Sequence, residues 1–327
     1  MGLPILNNKY PQTFDIETTA FCNYACLYCD QTILTRKRGN MTVDVFKKIF
    51  QDLLTIPVKR IDFDISGEPL LNPATLQMVK IAEDAGVESY FSTNCSLLEN
   101  FKQQILDSGL SFIVLSFDGM SKETYERYRV GGNFERVFKA ITEFMALKNS
   151  GGYKKPHVTL SFCVFDWNKH EIDAVKEQAK TWGVDNLLIK RPYVTTRDKK
   201  PDLIAVVDGY SRYPIGHITH PCSFVNGRTT ILWNGDLTTC SKNLLGDPVI
   251  GNVLEKGFKE VWDSANRQAA KRDMIMRKYN ICDDCVDGTD MTSGELIRVK
   301  DGKVIIVTGK WKKSLKERVV NRVSLMV

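Results

Sequence analysis

Apolar and polar residues alternate along the first 190 residues in a way that predicts strands and helices in turn. Short apolar runs are typical of buried parallel strands, and the amphipathic stretches between them are typical of helices. The predicted strands are residues 12–18, 59–66, 88–93, 111–117, 157–164 and 184–190. The predicted helices are residues 43–55, 73–86, 97–108, 121–147 and 168–182. We therefore expect an α/β fold with a parallel sheet, as an open doubly wound sheet or a partial barrel.

The pattern changes near residue 199, after which a second, smaller unit is predicted. A loop rich in Pro, Tyr and Gly precedes a hairpin over residues 228–240, with Asn234-Gly235 as its turn. A helix near residues 256–273 and a second hairpin that turns at Asp301-Gly302 follow. We expect a catalytic core, a small α+β domain and a C-terminal hairpin with a basic amphipathic helix, over residues 1–198, 199–294 and 295–327.

The composition is that of a soluble globular protein, with 43% apolar and 26% charged residues. No apolar run is as long as a membrane span, and the N-terminus has no export signal, so we expect a cytoplasmic protein. Nine cysteines in a reducing compartment indicate metal binding or chemistry rather than disulfides. The net charge of +6 is concentrated in residues 310–322, which predicts a helix that packs on its own domain or docks a partner. We expect neither a nucleic acid nor a membrane as partner.

The stretch FCNYACLYCD, residues 21–30, follows the first predicted strand and places three cysteines close together. In either architecture it lies at the carboxyl edge of the sheet, where ligands bind. A structural zinc site and a conventional four-iron cluster both need four protein ligands, so three thiolates leave one position open, as catalysis requires. Spacing alone also allows zinc or coincidence. The three candidate ligands are Cys22, Cys26 and Cys29.

This C-x3-C-x2-C spacing, with Tyr28 before its last cysteine, resembles the signature of the radical S-adenosylmethionine (radical SAM) enzymes. The segment SGEPLLNP, residues 66–73, resembles the family's glycine–glutamate segment, with Ser66 in place of the more usual glycine. SFDG at residues 116–119 resembles the segment after the fourth strand. The resemblance covers residues 12 to 290 and implies a partial (β/α)6 barrel followed by a small α+β auxiliary-cluster domain.

The resemblance also implies the cofactors. A [4Fe-4S] cluster on the three cysteines binds the methionine moiety of S-adenosylmethionine, and an electron donor such as flavodoxin or ferredoxin reduces it. The resulting 5′-deoxyadenosyl radical abstracts hydrogen from a substrate carbon. Glu68 is expected to accept hydrogen bonds from the methionine ammonium, and Ser116 and Arg129 are candidates to bind the carboxylate. The alternative for Arg129 is a surface ion pair with a neighbouring Glu. The candidate cofactor-binding residues are Tyr28, Gly67, Glu68, Ser116 and Arg129.

A second set of cysteines has the four members that close a metal site. Spacing alone leaves zinc and an iron–sulfur cluster equally open. The segments ILWNGDLTTC, IGNVLEKGFKEVW and CDDC resemble the SPASM extension, and the lack of later cysteines matches its short twitch form, which implies one auxiliary [4Fe-4S] cluster. The spacing is most similar to that of dehydrogenases that oxidise an aminocyclitol alcohol. The four ligands are Cys222, Cys240, Cys282 and Cys285.

Three further residues are candidate catalytic groups. Cys95 stands where relatives commonly have glycine, and its thiol, like that of Cys163, is a candidate hydrogen-atom donor to a substrate radical; the alternative for both is a small buried side chain. Arg191 is a candidate base or clamp for an anionic group, or part of a solvated basic edge.

The expected reaction is oxidation of an alcohol or epimerisation in a sugar- or cyclitol-type small molecule. The alternative is radical modification of a ribosomally made peptide. A third possibility, from another class, is a noncatalytic zinc-binding module.

Overall fold

A computed structural model describes residues 9–190, 222–241, 245–279, 282, 294–300 and 303–307. Several sequence-based expectations lie outside these residues: Arg191, Cys285, the turn at Asp301-Gly302 and the helix over residues 310–322.

Six parallel strands form the centre of the fold, as predicted. They neighbour one another in chain order, and each adjacent pair is parallel. Their bounds are β1 Thr13–Ile16, β2 Arg60–Asp62, β3 Glu88–Thr93, β4 Phe112–Ser116, β5 His157–Cys163 and β6 Asn186–Lys190.

Six helices belong to this part of the chain: α1 Val43–Leu53, α2 Thr75–Asp84, α3 Leu98–Asp107, α4 Lys122–Tyr128, α5 Phe134–Ser150 and α6 Ile172–Trp182. The prediction of one helix over residues 121–147 was wrong, because two helices occupy it. Gly131 has a φ of +90° in the segment between them, a conformation that interrupts a helix, and Asn133 caps α5 by accepting a hydrogen bond from Arg136 N at 2.8 Å. Both helices bury apolar residues, so the amphipathic pattern runs across the break.

The two faces of the six-stranded sheet differ in chemistry. Since side chains alternate along a strand, every second residue faces the helices, and these residues form one buried core with the apolar sides of the helices. They include Phe14, Ile61, Phe63, Phe91, Ile113 and Leu160. The intervening residues include the polar Asp15, Asp62, Ser92 and Ser116 as well as Tyr90 and Val114, and they form a more polar face away from the helices. In the expected partial barrel, which the structure confirms, this polar face is the inner one.

Hairpins extend the sheet at both edges. On one side β7 (Arg228–Ile231) pairs in parallel with β1, and β8 (Asp236–Thr238) and β9 (Val249–Asn252) follow as antiparallel strands. On the other side β10 (Gly294–Lys300) is antiparallel to β6 and β11 (Lys303–Val307). The turn at Asn234-Gly235 is confirmed, with Gly235 at a φ of +88°. The described strands thus form one sheet of 11 strands, and the domain boundaries stay a prediction.

Three helices follow β9: α7 Val253–Lys256, α8 Phe258–Asp263 and α9 Ala265–Ile275. The single helix predicted near residues 256–273 is divided at Ser264, which is extended and caps α9 by accepting a hydrogen bond from Arg267 N at 3.2 Å. No helix in the described ranges is long and apolar enough to cross a bilayer.

Candidate functional site

The three-cysteine loop is held against the linker between α4 and α5. Ala25 N donates to Val130 O at 2.9 Å, and Leu27 N donates to Tyr128 O at 3.1 Å. Aromatic side chains pack around the thiols, and Tyr28 stacks on Phe165 with 5.9 Å between ring centroids. The backbone of this loop is therefore fixed at the carboxyl edge of the sheet, where the sequence predicted it.

The thiols of the loop lie in a largely dry environment. Cys26 is 7% exposed, Cys22 and Cys29 are half-buried, and none of the three is in a disulfide. Burial raises the pKa of Cys22 and raises that of Cys29 to about 11. A thiolate there needs a neighbouring positive charge, which bound iron would supply.

A four-iron cluster fits these residues. Besides burial, the charge of Cys26 acts to raise the pKa of Cys22 and that of Cys29, so the three thiols lie near one another. In the described ranges no three His, Cys, Asp or Glu side chains converge on a point where a single metal ion could bind. Such convergence is not what holds a cluster, because each thiolate binds a different iron atom.

Two side chains from outside the loop direct N–H groups at the thiols. Asn94 Nδ2 lies 3.9 Å from Cys22 Sγ, and Arg129 Nη1 lies 3.7 Å from Cys26 Sγ. Such hydrogen bonds to sulfur stabilise the charged form of a cluster and tune its potential.

Arg129 forms a buried ion pair with an aspartate. Its Nε donates to Asp118 Oδ2 at 2.6 Å, and Asp118 has no exposed surface. Burial acts to lower the pKa of Arg129, but the charges of Asp118 and Cys26 outweigh it and raise the pKa. The alternative prediction of a surface ion pair with Glu was therefore wrong: the pair is buried, and the partner came from the SFDG segment.

Glu68 connects the ends of β2 and β3 to the cysteine loop. It is 2% exposed and accepts hydrogen bonds from Leu70 N at 3.2 Å, Thr93 Oγ1 at 2.8 Å and Asn94 N at 2.7 Å. Its own backbone N donates to Phe21 O at 2.9 Å. Burial raises the pKa of Glu68, although these hydrogen bonds act against the shift.

Gly67 is required by the chain's own backbone. A Cβ at this position would lie 2.5 Å from both Thr19 O and Phe21 O, closer than real contacts allow. Ser66, which replaces the more usual glycine, donates its hydroxyl hydrogen to Glu17, and Arg36 Nη1 donates to the same carboxylate at 3.0 Å. The glycine–glutamate segment thus fixes the start of the cysteine loop.

Ser116 belongs to the polar inner face. Its Oγ lies 3.1 Å from Ser92 Oγ on the neighbouring strand, and Ser92 N donates to Asp64 Oδ2 at 3.0 Å. Asp64 is half-buried, and in the described part of the chain no basic side chain forms an ion pair with it. Burial and the nearby charges of Asp62 and Asp15 raise the pKa of Asp64 well above its usual value.

The other acids on this face are neutralised. Arg228 Nε donates to Asp15 Oδ1 at 2.8 Å, and Arg228 Nη2 donates to Asp62 Oδ2 at 2.6 Å. Arg60 Nε donates to Asp62 Oδ1 at 2.5 Å. These residues and Asp64 were missed from the sequence, although acids at every second position in TFDIE and IDFDI, within otherwise apolar strands, were a usable signal.

The two unassigned cysteines lie in different environments. Cys95 has no exposed surface, belongs to the core that faces the helices, and donates its S–H to Thr93 O at 3.6 Å. Its φ of +65° explains why glycine suits this position. Cys163 is 5% exposed and packs with Cys26 and Tyr128 beside the cysteine loop. Of the two, Cys163 is the thiol beside the predicted cluster site.

The structure brings three of the four later cysteines to one end of α9. Cys222 and Cys240 pack together against Phe224, Val225 and Met274, and Tyr279 packs on the same cluster. Cys282 N donates to Tyr279 O at 2.7 Å. Ser241, next to Cys240, hydrogen-bonds to the carboxylate of Asp15. The second predicted cluster site therefore adjoins the polar inner face; Cys285 is outside the described residues.

A comparison with protein families shows which family has this arrangement of cysteines and strands. Residues 16–179, half of the chain, match the model of the radical SAM superfamily. The chain belongs to this superfamily. Residues 222–286 match SPASM, an iron–sulfur cluster-binding domain. The expected cofactors, [4Fe-4S] clusters and S-adenosylmethionine, are confirmed as those of both families and of their solved relatives.

Curated relatives differ in activity. A probable GTP 3′,8-cyclase from Methanococcus maripaludis is 32% identical over 174 residues, which are 53% of this chain and 56% of the relative. A Pyrococcus furiosus protein is described as a tungsten-containing aldehyde ferredoxin oxidoreductase cofactor-modifying protein. It is 23% identical, and the alignment covers 83% of this chain and 86% of the relative. The chain spans about half the length of the cyclases that it matches.

Solved structures share the fold at low identity. BtrN, in complex with AdoMet and 2-DOIA, is 16% identical and aligns with 91% of this chain and 100% of its own, at a TM-score of 0.55. Streptococcus suis SuiB, bound to precursor peptide SuiA, is 15% identical and aligns with 80% of this chain and 67% of its own, at a TM-score of 0.61. What this chain shares with these two structures is the fold.

Proposed function

We propose that this radical SAM enzyme abstracts hydrogen from a carbon of a small polyhydroxylated molecule, such as a sugar or cyclitol, and that oxidation of an alcohol or epimerisation results. The observation that carries the proposal is the polar inner face of the barrel. Asp64, which follows β2, Ser92 on β3 and Ser116 on β4 lie side by side there. Hydroxyl-rich ligands suit such a face, because every buried polar group needs a partner.

The chain's own residues have separate tasks in this proposal. Cys22, Cys26 and Cys29 would hold the first cluster, and Cys222, Cys240, Cys282 and Cys285 the second. With S-adenosylmethionine bound, these groups supply the 5′-deoxyadenosyl radical and an acceptor for one electron. Asn94 and Arg129 would stabilise the thiolates of the first cluster.

Two carboxylates would contact the bound molecules. Glu68 uses Oε1 for Leu70 and Thr93, and Oε2 for Asn94, so acceptor capacity remains on Oε2 for the ammonium of S-adenosylmethionine. Asp64, whose Oδ2 accepts a hydrogen bond from Ser92 N, would hydrogen-bond to a substrate hydroxyl through its carboxyl group. A reductant of the flavodoxin or ferredoxin type would supply the electron that starts the reaction.

The test is an anaerobic reconstitution of wild type and of Cys22→Ala/Cys26→Ala/Cys29→Ala. We expect about eight irons in wild type and about four in the variant. Only wild type should form 5′-deoxyadenosine from S-adenosylmethionine and dithionite. With polyols deuterated on carbon, we expect deuterium in the 5′-deoxyadenosine of wild type. Zinc in place of iron in the reconstituted protein would mean that the cysteines hold a structural metal site.

Modification of a peptide is the second candidate. It is supported by the alignment with peptide-bound SuiB, whose TM-score of 0.61 exceeds the 0.55 of BtrN. The deuteration experiment separates the two candidates. Label that enters 5′-deoxyadenosine from a deuterated peptide, and from no polyol, would replace the first candidate by the second.

A further inference from the structure

A buried arginine of α9, Arg267, has more donors than partners. It is 2% exposed, and its guanidinium stacks 4.0 Å from the centroid of the Trp262 ring. Its Nη2 donates to Phe224 O at 3.3 Å and to Val225 O at 2.6 Å. Its Nη1 is buried and has no hydrogen-bond partner among the described residues.

No carboxylate of the described ranges forms an ion pair with Arg267; Asp283 and Asp284 are outside those ranges. Burial lowers the pKa of Arg267 to about 10, while the charges of Tyr279 and Cys222 act to raise it, so the side chain is still a cation at neutral pH. A buried cation is costly unless a negative charge compensates it. The surroundings of Arg267 should therefore contain an anion.

The cysteines of the second set are the groups near Arg267 that would carry this charge. The carbonyls that it binds belong to the turn after Cys222, where Val225 N donates to Cys222 O at 3.1 Å. Further along, Arg277 Nη1 donates to Cys282 O at 3.3 Å. Residues 265–279 contain five basic residues and one acid, Asp273. A four-iron cluster on four thiolates has a net negative charge, which grows on reduction.

We propose that the charge of Arg267 stabilises the reduced form of the auxiliary cluster and so raises its reduction potential, which makes the cluster an electron acceptor rather than a donor. Arg267 is then a positioning and electrostatic residue, since it acts through the cluster. The electron would be the one that a substrate radical loses as it becomes a carbonyl compound, with the accompanying proton released to solvent. This inference rests on the auxiliary cluster of the proposed function.

The test measures the potential of the auxiliary cluster directly. The Cys22→Ala/Cys26→Ala/Cys29→Ala protein retains the second cysteine set, and its cluster is titrated with EPR detection. Arg267→Met removes the charge and keeps an apolar stem against Trp262. We expect about tenfold less reduced cluster at a fixed ambient potential, a downward shift of about 59 mV for a one-electron couple. Arg267→Lys should keep most of the wild-type potential.

Arg272→Met is the matched control, because Arg272 is an exposed cation of the same helix, and its removal should leave the potential unchanged. If the methionine variant loads no iron, Arg267→Gln is measured instead, since it is neutral but keeps an N–H donor for the carbonyls. A cluster retained by the lysine variant alone would also support the role of the charge.

Equal reduction potentials of the auxiliary cluster in wild type and in the neutral variants would overturn the proposal. Failure of all three Arg267 variants to hold iron would also overturn it, because Arg267 would then be needed for the fold and not for the potential. Failure of the proposed function looks different. In that case the three-cysteine variant itself would contain no auxiliary iron, whatever residue stands at position 267.

Discussion

Arg129 Nη1 lies 3.7 Å from the sulfur of Cys26, although the two residues are 103 positions apart in the chain. Asp118, which is fully buried, holds the other side of the same guanidinium. The arrangement places one positive charge between a carboxylate and a predicted cluster thiolate. The side chain of Arg129 therefore adds a charge interaction to the backbone hydrogen bonds by which Tyr128 O and Val130 O hold the cluster loop.

Removal of Arg129 should be strongly destabilising. Arg129→Met leaves the carboxylate of Asp118 buried without its partner, which costs about 3–5 kcal/mol of unfolding free energy. Asp118→Asn/Arg129→Met should recover a large part of this loss, because no buried charge is left unpaired. Anaerobic urea unfolding of the three proteins measures both effects. If the double variant were as unstable as the single one, the ion pair would not be the cause.

Gly67→Ala should displace the cysteine loop. The added Cβ would meet the carbonyl oxygens of Thr19 and Phe21 at 2.5 Å, and overpacking of this kind costs about 1–3 kcal/mol. We expect lower iron content per chain as well as lower stability. Gly152→Ala is the control, because its Cβ meets nothing within 4 Å, and only the strain of its φ of +68° remains. Full iron loading in Gly67→Ala would contradict the prediction.

Asp64→Asn should change how stability depends on pH. Because the pKa of Asp64 is raised in the folded state, the folded protein keeps a proton that the unfolded chain has lost above the ordinary value of 3.8. The free energy of unfolding of wild type therefore falls as pH rises from 3.8 towards the raised pKa, and the variant lacks this fall.

Urea unfolding between about pH 4 and about pH 8 measures this difference. The stability of Asp64→Asn relative to wild type should increase with pH. Asp173→Asn, at an exposed position on α6, serves as the control and should show no such trend. A difference that stays constant with pH would mean that the pKa of Asp64 is ordinary.

Cys95→Gly should be more stable than Cys95→Ala. Both variants lose the buried thiol, but alanine keeps a Cβ in the left-handed conformation of φ +65°, which costs about 1 kcal/mol relative to glycine. Since Cys95 lies in the core on the helix side of the sheet, neither change should alter the product of the reaction. Thermal unfolding and product analysis check the two statements. A changed product in either variant would mean that Cys95 is again a candidate hydrogen-atom donor to the substrate radical.

Much of the fold was predictable because its information is local. Each of the six parallel strands has apolar residues in a short run or at every second position, and the turn at Asn234-Gly235 follows from the conformations that these two residues tolerate. The helix break at residues 129–133 was missed, because the apolar pattern continues across it while Gly131 interrupts the backbone. The spacing of Cys22, Cys26 and Cys29 predicted the first cluster site, because these candidate ligands lie in one short segment, whereas the second candidate set, Cys222, Cys240, Cys282 and Cys285, was predicted from the resemblance of separate segments.

The tertiary structure alone decided which charges meet. Arg228 binds Asp15 and Asp62, Arg129 binds Asp118, and Arg267 donates to the carbonyl oxygens that follow Cys222 in the chain. Sequence determined the strands and most helices and predicted the candidate cluster ligands, because these depend on local periodicity and on thiol chemistry. The polar inner face, and the position on it of Asp64, which forms no ion pair with a described residue, depend on strand register, which brings distant side chains together and sets the partners of each.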